Sequence, residues 1–235
     1  MKKISNILYI LLGVCVVAGC TKMDQYLDYT GHKELTYTGK VDSLKALSGD
    51  DRIKLSWLLI ADPKISGVTI YYNSKSDSVV IPVNRTGGID SMEYLFSNMP
   101  EGSYSFEVYT WNTAGIRSVP TYITGRSYGP NYKSGLLNRA ITDAELKDDG
   151  NAIINWSQAE ETTIGMEVTF TNSSGVQHLL QIPLTESSTV LEAYQPGSDF
   201  SYRTLFRPDS FAIDTFYAAA TVRKVDYSGT LPPGF

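Results

Sequence analysis

Arg52-Ile53-Lys54-Leu55-Ser56-Trp57 alternates apolar with polar residues and then returns later in the chain. A period of two is the mark of a strand with one buried face, so Ile53, Leu55 and Trp57 point the same way. The stretch comes back about 98 residues on as Asn151-Ala152-Ile153-Ile154-Asn155-Trp156. Gly67-Val68-Thr69-Ile70-Tyr71-Tyr72 returns as Gly165-Met166-Glu167-Val168-Thr169-Phe170, and Val79-Val80-Ile81-Pro82-Val83 as Leu180-Gln181-Ile182-Pro183-Leu184. Pro100-Glu101-Gly102-Ser103-Tyr104-Ser105-Phe106 returns, with its glycine shifted, as Pro196-Gly197-Ser198-Asp199-Phe200-Ser201-Tyr202. Four motifs repeated in one order mark two homologous units.

The same period assigns a core. Val68, Ile70 and Tyr72 share a face, as do Tyr104, Phe106 and Val108. The expected structural core is Trp57, Tyr72, Tyr104 and Phe106 in the first unit and Trp156, Phe170, Phe200 and Tyr202 in the second. Pro82 and Pro183 each interrupt a short strand. A proline has no amide to give a ladder, so both strands belong at a sheet edge.

Sixteen tyrosines, 19 glycines and 10 prolines, with no long helical period, favour short strands and turns. The net charge is −5 and no basic cluster occurs, which excludes nucleic acid as an expected partner. Cys15 and Cys20 are the only cysteines. Lys2 and Lys3 precede an apolar run from Ile4 to Val17, and Val17-Ala18-Gly19-Cys20 closes it. This is the order of a secretory signal, and the run is shorter than the roughly 20 residues a membrane-spanning helix needs. With a cysteine directly after the small residues, the segment resembles a bacterial lipobox. That resemblance implies cleavage before Cys20, a lipid on its thiol and amine, and an exported protein anchored in the outer membrane. Only Cys20 then remains, so no internal disulfide forms and stability rests on buried apolar area.

The strand-end Trp57, the Ile65-Ser66-Gly67-Val68-Thr69-Ile70-Tyr71-Tyr72 strand and the run from Pro100 to Asn112 together resemble a fibronectin type III domain. With the lipobox, the whole resembles Bacteroidota surface lipoproteins of unassigned function, many of them associated with glycan uptake. The expected fold is all-β: two tandem seven-stranded Greek-key β-sandwiches of fibronectin type III type after a lipoprotein signal peptide. The expected divisions are a signal peptide over 1–19, a lipidated tether over 20–37, a first domain over 38–126, a linker over 127–135 and a second domain over 136–235. The linker's Tyr128 and Tyr132 leave two arrangements open, a packed interface or a hinge.

Catalytic chemistry has little to draw on. The histidines are His32, in the tether, and His178, in the turn before an edge strand. No glycine-flanked serine elbow or phosphate-cradling loop occurs. Asp50-Asp51, Asp148-Asp149 and Glu160-Glu161 are neighbours along the chain, whereas a glycosidase pair faces across a cleft. The first two sit at equivalent turns, where aspartate bonds local backbone. The expectation is no enzyme, no metal and no cofactor beyond the lipid.

The candidate surface is aromatic. If Tyr104, Phe106 and Val108 point inward, Tyr109 and Trp111 point outward, and Tyr71 does so on the neighbouring strand. Thr169, Leu205 and Arg207 are expected at the matching places of the second unit. Tyr71, Tyr109 and Trp111 thus form a candidate patch for a glycan or a surface protein. The expected function is a membrane-anchored, non-catalytic binding module. The alternatives are an envelope hydrolase using loop carboxylates and a purely structural spacer.

Overall fold

The computed structural model describes residues 37–60 and 62–226. The lipobox, Cys20 and His32 lie outside them. The first unit contains β1 (Asp42–Asp50), β2 (Arg52–Leu59), β3 (Ile65–Tyr72), β4 (Asp77–Pro82), β5 (Asp90–Ser97), β6 (Gly102–Asn112) and β7 (Thr121–Tyr128). Their order is β4-β3-β6-β7-β1-β2-β5. One layer is β4-β3-β6-β7 and the other β1-β2-β5. Strand β1 joins the two, running antiparallel to β2 and then meeting β7 in parallel at Gly49–Ser127 and Asp50–Tyr128.

Strand β2 shows why the chain folds this way. Its burial alternates strictly, with Ile53, Leu55, Trp57 and Leu59 at most 1% exposed. They meet Val68, Ile70, Phe106 and Val108 from the other layer, and Phe96 of β5 in their own. Tyr72 and Tyr104 are partly buried against this core. Each large apolar side chain so buried is worth about 1.5–3 kcal/mol, set against a backbone ordering cost of about 1–2 kcal/mol per residue.

The second unit contains β8 (Ile141–Leu146), β9 (Ala152–Trp156), β10 (Thr163–Thr171), β11 (Gln177–Ile182), β12 (Ser188–Leu191), β13 (Asp199–Phe206), β14 (Phe216–Tyr217) and β15 (Thr221–Lys224). One layer is β12-β9-β8. The other is β11-β10-β13, with both β14 and β15 on β13. The seventh strand is therefore split in two by Ala218, Ala219 and Ala220. Trp156, Phe170, Phe200 and Tyr202 are 1–5% exposed in its core. Strands β4 and β11 are both edges. Pro82 is the last residue of β4 and Pro183 follows β11, so the prolines end these strands where the ladder is released.

The sandwiches are locked together. Helix α1 (Pro130–Ser134) is a single turn whose amides at Asn131 and Tyr132 donate to the Glu101 carboxylate at 2.7 and 2.9 Å. Tyr128 and Tyr132 pack on Phe216, with ring centroids 5.7 and 5.1 Å away. The β13–β14 loop reaches back to β1. Ser48 donates to Asp209 at 2.7 Å, and the Asp50 amide to Asp214 at 2.8 Å. Arg52 grips the Asp214 carboxylate with two guanidinium nitrogens, and Lys133 pairs with Asp50 at 2.8 Å. Of the two arrangements open to the linker tyrosines, the chain adopts the packed one.

Candidate functional site

The outer face of β4-β3-β6-β7 is built by register. Pro82, Gly67 and Trp111 form one row across β4, β3 and β6, and Val80, Thr69 and Tyr109 form the next. Ser78, Tyr71 and Glu107 follow, extended by Tyr122 on β7. The buried faces of Phe106, Val108 and Thr110 alternate with these positions. Tyr71, Tyr109 and Trp111 therefore lie on one face, each partly buried.

The Tyr71 and Tyr109 rings meet edge to face, with centroids 5.8 Å apart and planes at 89°. Polar groups fix them. The Tyr109 hydroxyl donates to Glu107 at 3.1 Å, Glu107 pairs with Lys75 at 2.8 Å, and Arg117 donates to the Tyr71 hydroxyl at 3.2 Å. Burial, then the Glu107 contact, pushes the Tyr109 phenol upward, so it stays a neutral donor at ordinary pH. The Glu107 hydrogen bond raises Lys75. Trp111 fills the space beside Gly67: a Cβ there would stand 2.0 Å from the indole Cζ2. The glycine thus allows the indole to lie against the sheet.

Sequence reading missed two members of this face. Tyr122 is 65% exposed and Val80 58% exposed. Tyr122 carries a readable signal, since an aromatic outside the inward parity of its strand points to the outer layer. Together the face offers flat apolar surfaces edged by a guanidinium, an ammonium, a carboxylate and hydroxyls. Such surfaces suit stacking and hydrogen bonding. They provide no nucleophile paired with a base.

The second unit needs a correction. Gly165 pairs with Leu205 as Gly67 pairs with Trp111, and Thr169 pairs with Ser201 as Tyr71 pairs with Glu107. The residues at the matching places are therefore Thr169, Arg203 and Leu205, not Thr169, Leu205 and Arg207. The two turns before the sixth strand differ in length, which shifts the motif match by two residues. In the first unit the Tyr104 hydroxyl donates back to the Pro100 carbonyl at 2.8 Å, whereas in the second Tyr194 donates forward to Ser198. Arg203 pairs with Glu167 and lies 4.2 Å from the Tyr217 centroid.

Of the other candidate groups, Asp50 pairs with Lys133 across the junction, while Asp51 and Asp149 serve their own turns. Asp51 takes a left-handed turn conformation at φ 50°, and Asp149 accepts from the Asn151 amide at 3.0 Å. His178 is exposed on β11, stacked 5.3 Å from Phe170. Among the described residues no group of three or more His, Cys, Asp and Glu could hold a metal ion. A concavity of about 500 Å³ lies at the junction, lined by Arg126, Tyr128, Tyr132, Glu160 and Phe206 among others. It is distinct from the aromatic face. Tyr128, Tyr132 and Phe206 in its wall are the same rings that hold the sandwiches together, so it is a cleft of that interface.

Solved structures similar to this chain include the following two. A two-domain fibronectin type III segment of chicken tenascin is 14% identical over 80% of this chain and 100% of its own length, with a TM-score of 0.34. The FN1-FN3 domains of chicken CNTN1 are 11% identical over 80% of this chain and 65% of their own, with a TM-score of 0.42. The chain thus spans just under two thirds of that second structure. No curated protein matches the chain. A family model described as a domain of unknown function, DUF4998, matches residues 20–216, across most of both sandwiches. A match of that extent places the chain in the DUF4998 family.

Proposed function

We propose that this protein is a lipid-anchored, non-catalytic envelope protein that holds a glycan on the outer face of β4-β3-β6-β7. The observation that carries the reading is the convergence of Tyr71, Tyr109 and Trp111, with Tyr122, on one polar-edged surface. Sugar rings present flat C–H faces and a rim of hydroxyls, which such a surface matches. The lipobox cysteine supplies the anchor, and two or more acyl chains hold a protein stably where one does not.

The test is affinity electrophoresis of the chain from residue 20 against a panel of polysaccharides. Trp111→Ala and Tyr109→Ala should abolish retention, and Leu205→Ala should leave it intact. A stable co-purifying protein with no retention by any polysaccharide would overturn the glycan reading. Metabolic labelling with palmitate should mark the wild type and spare Cys20→Ala.

A rigid spacer is the second reading, favoured by the Arg52–Asp214 and Glu101–α1 contacts that fix one sandwich on the other. It expects all three aromatics to be replaceable by alanine without loss of any association.

A further inference from the structure

We propose that the end of the first sandwich nearest the tether is a membrane-contact surface that rests on anionic phospholipid headgroups; this builds on the reading of Cys20 as an anchor. The placement follows from pairing. Leu59 faces Asp90 at the end of the β2–β5 ladder, so Ile60 and Ile89 leave it side by side. Thr38 donates to the Ile116 carbonyl at 2.6 Å, which sets Tyr37 beside the β6–β7 loop that also carries Val119. Eight large apolar side chains are exposed on the described part of the first sandwich. Five of them gather here: Tyr37 at 60%, Ile60 at 45%, Ile89 at 66%, Ile116 at 40% and Val119 at 49%. Val80, Leu95 and Tyr122 lie on sheet faces instead. Single exposed apolar residues are ordinary, but a group on three loops and the entering chain is a patch.

Charge supports the same partner. The chain carries five more acids than bases. This end instead has Lys40, Lys64, Arg85 and Arg117 against Asp42, Asp62 and Asp90. Asp62 is occupied by the amides of Gly39 and Lys64, and Asp90 by Thr86 and Arg85. Lys40 and Lys64 are exposed and carry the positive charge here, whereas Arg117 is drawn onto the Tyr71 hydroxyl and Arg85 onto Asp90. Apolar tips that enter the headgroup boundary, ringed by cations that meet lipid phosphates, are the pattern of interfacial binding. The opposite end is turned away, covered by α1 and the second sandwich and carrying Asp50, Asp51 and Glu101. Residues 20–36 can span at most about 60 Å, so an anchor at Cys20 keeps this end within reach of the bilayer. A weak contact then gains from high effective concentration.

The experiment uses the chain from residue 20 carrying Cys20→Ser, so that no lipid contributes. Vesicles of three parts phosphatidylethanolamine to one part phosphatidylglycerol should co-sediment it, and pure phosphatidylcholine vesicles should do so less. Ile60→Asp with Ile116→Asp should lower the partition coefficient about tenfold or more, given how strongly burial of such side chains drives interfacial binding. Leu95→Asp should leave it unchanged. A polarity-sensitive dye on Ile116→Cys should shift to the blue on vesicle addition, and one on Val222→Cys should not; this second readout serves if the paired aspartates impair folding. Equal partitioning of wild type and variant, no partitioning at all, or a dimer that the aspartates dissolve would each overturn the proposal. Palmitate labelling separates the two readings. A labelled Cys20 without vesicle binding removes only the contact surface, and vesicle binding without labelling removes only the anchor.

Discussion

Trp111 occupies the volume that a side chain on Gly67 would need, across the β3–β6 pair. Gly67→Ala must therefore push the indole off the sheet, an overpacking that costs about 1–3 kcal/mol. The second unit supplies the control. A Cβ on Gly165 would meet only the Ile182 carbonyl at 3.3 Å, so Gly165→Ala should cost much less. Denaturant unfolding of both variants checks this. If Gly67→Ala proves as mild as Gly165→Ala, the packing of Trp111 is not as described.

The two buried tryptophans differ in one hydrogen bond. Trp156 Nε1 donates to the Thr189 hydroxyl at 2.9 Å, while Trp57 Nε1 is buried with no partner among the described residues. Truncation of either to alanine should cost about 3–5 kcal/mol. Replacement by phenylalanine should separate them. At Trp57 it removes an unsatisfied donor, and at Trp156 it strands the Thr189 hydroxyl, so Trp156→Phe should be the worse by about 1–2 kcal/mol. Thermal unfolding of the two variants measures the difference.

Much of this architecture is legible in the sequence. Alternation in Arg52–Leu59 and its echo places Trp57 and Trp156 inside, and the prolines mark β4 and β11 as edges. The outward set Tyr71, Tyr109 and Trp111 follows from parity alone, because one strand fixes the facing of its neighbour. The register of β13 does not follow. A motif match sees Pro196-Gly197-Ser198 but not the direction of the Tyr194 hydroxyl, and that turn decides which residues oppose Gly165. The junction is equally hidden. Glu101, Asp209 and Asp214 read as solvated turn residues until the fold brings α1 and β1 to them.

The junction should weaken in acid. A hydrogen bond from Arg52 holds the Asp214 carboxyl below its ordinary range, against the opposing effect of burial. A carboxyl lowered on folding contributes stability above its unfolded value, 3.8, and loses it as pH falls through the folded one. Docking should be complete from neutral pH to about pH 5 and loosen below about pH 4. Small-angle scattering should show the radius of gyration rising there. Asp214→Asn should bring the same rise at pH 7, with a loss of about 1 kcal/mol in coupling between the sandwiches.

Glu101 caps α1 from the turn before β6, so its removal should loosen the linker before it harms either core. Glu101→Ala should cost about 1 kcal/mol, in the range of a lost helix cap. Tryptic cleavage after Lys133 should accelerate, while unfolding of each sandwich stays near wild type. Unchanged cleavage would show that the tyrosine cluster alone holds the turn.

The parallel meeting of β1 with β7 has a mechanical consequence. Chain enters the first sandwich at the start of β1 and leaves it at the end of β7, at opposite ends of that sandwich. Tension between the N-terminal side and the second sandwich therefore pulls these neighbouring strands lengthwise in opposite directions. Their hydrogen bonds, with those of β1 to β2, are strained together in shear instead of being opened one at a time. The strand that closes the sandwich is also the one that lets it bear a pull.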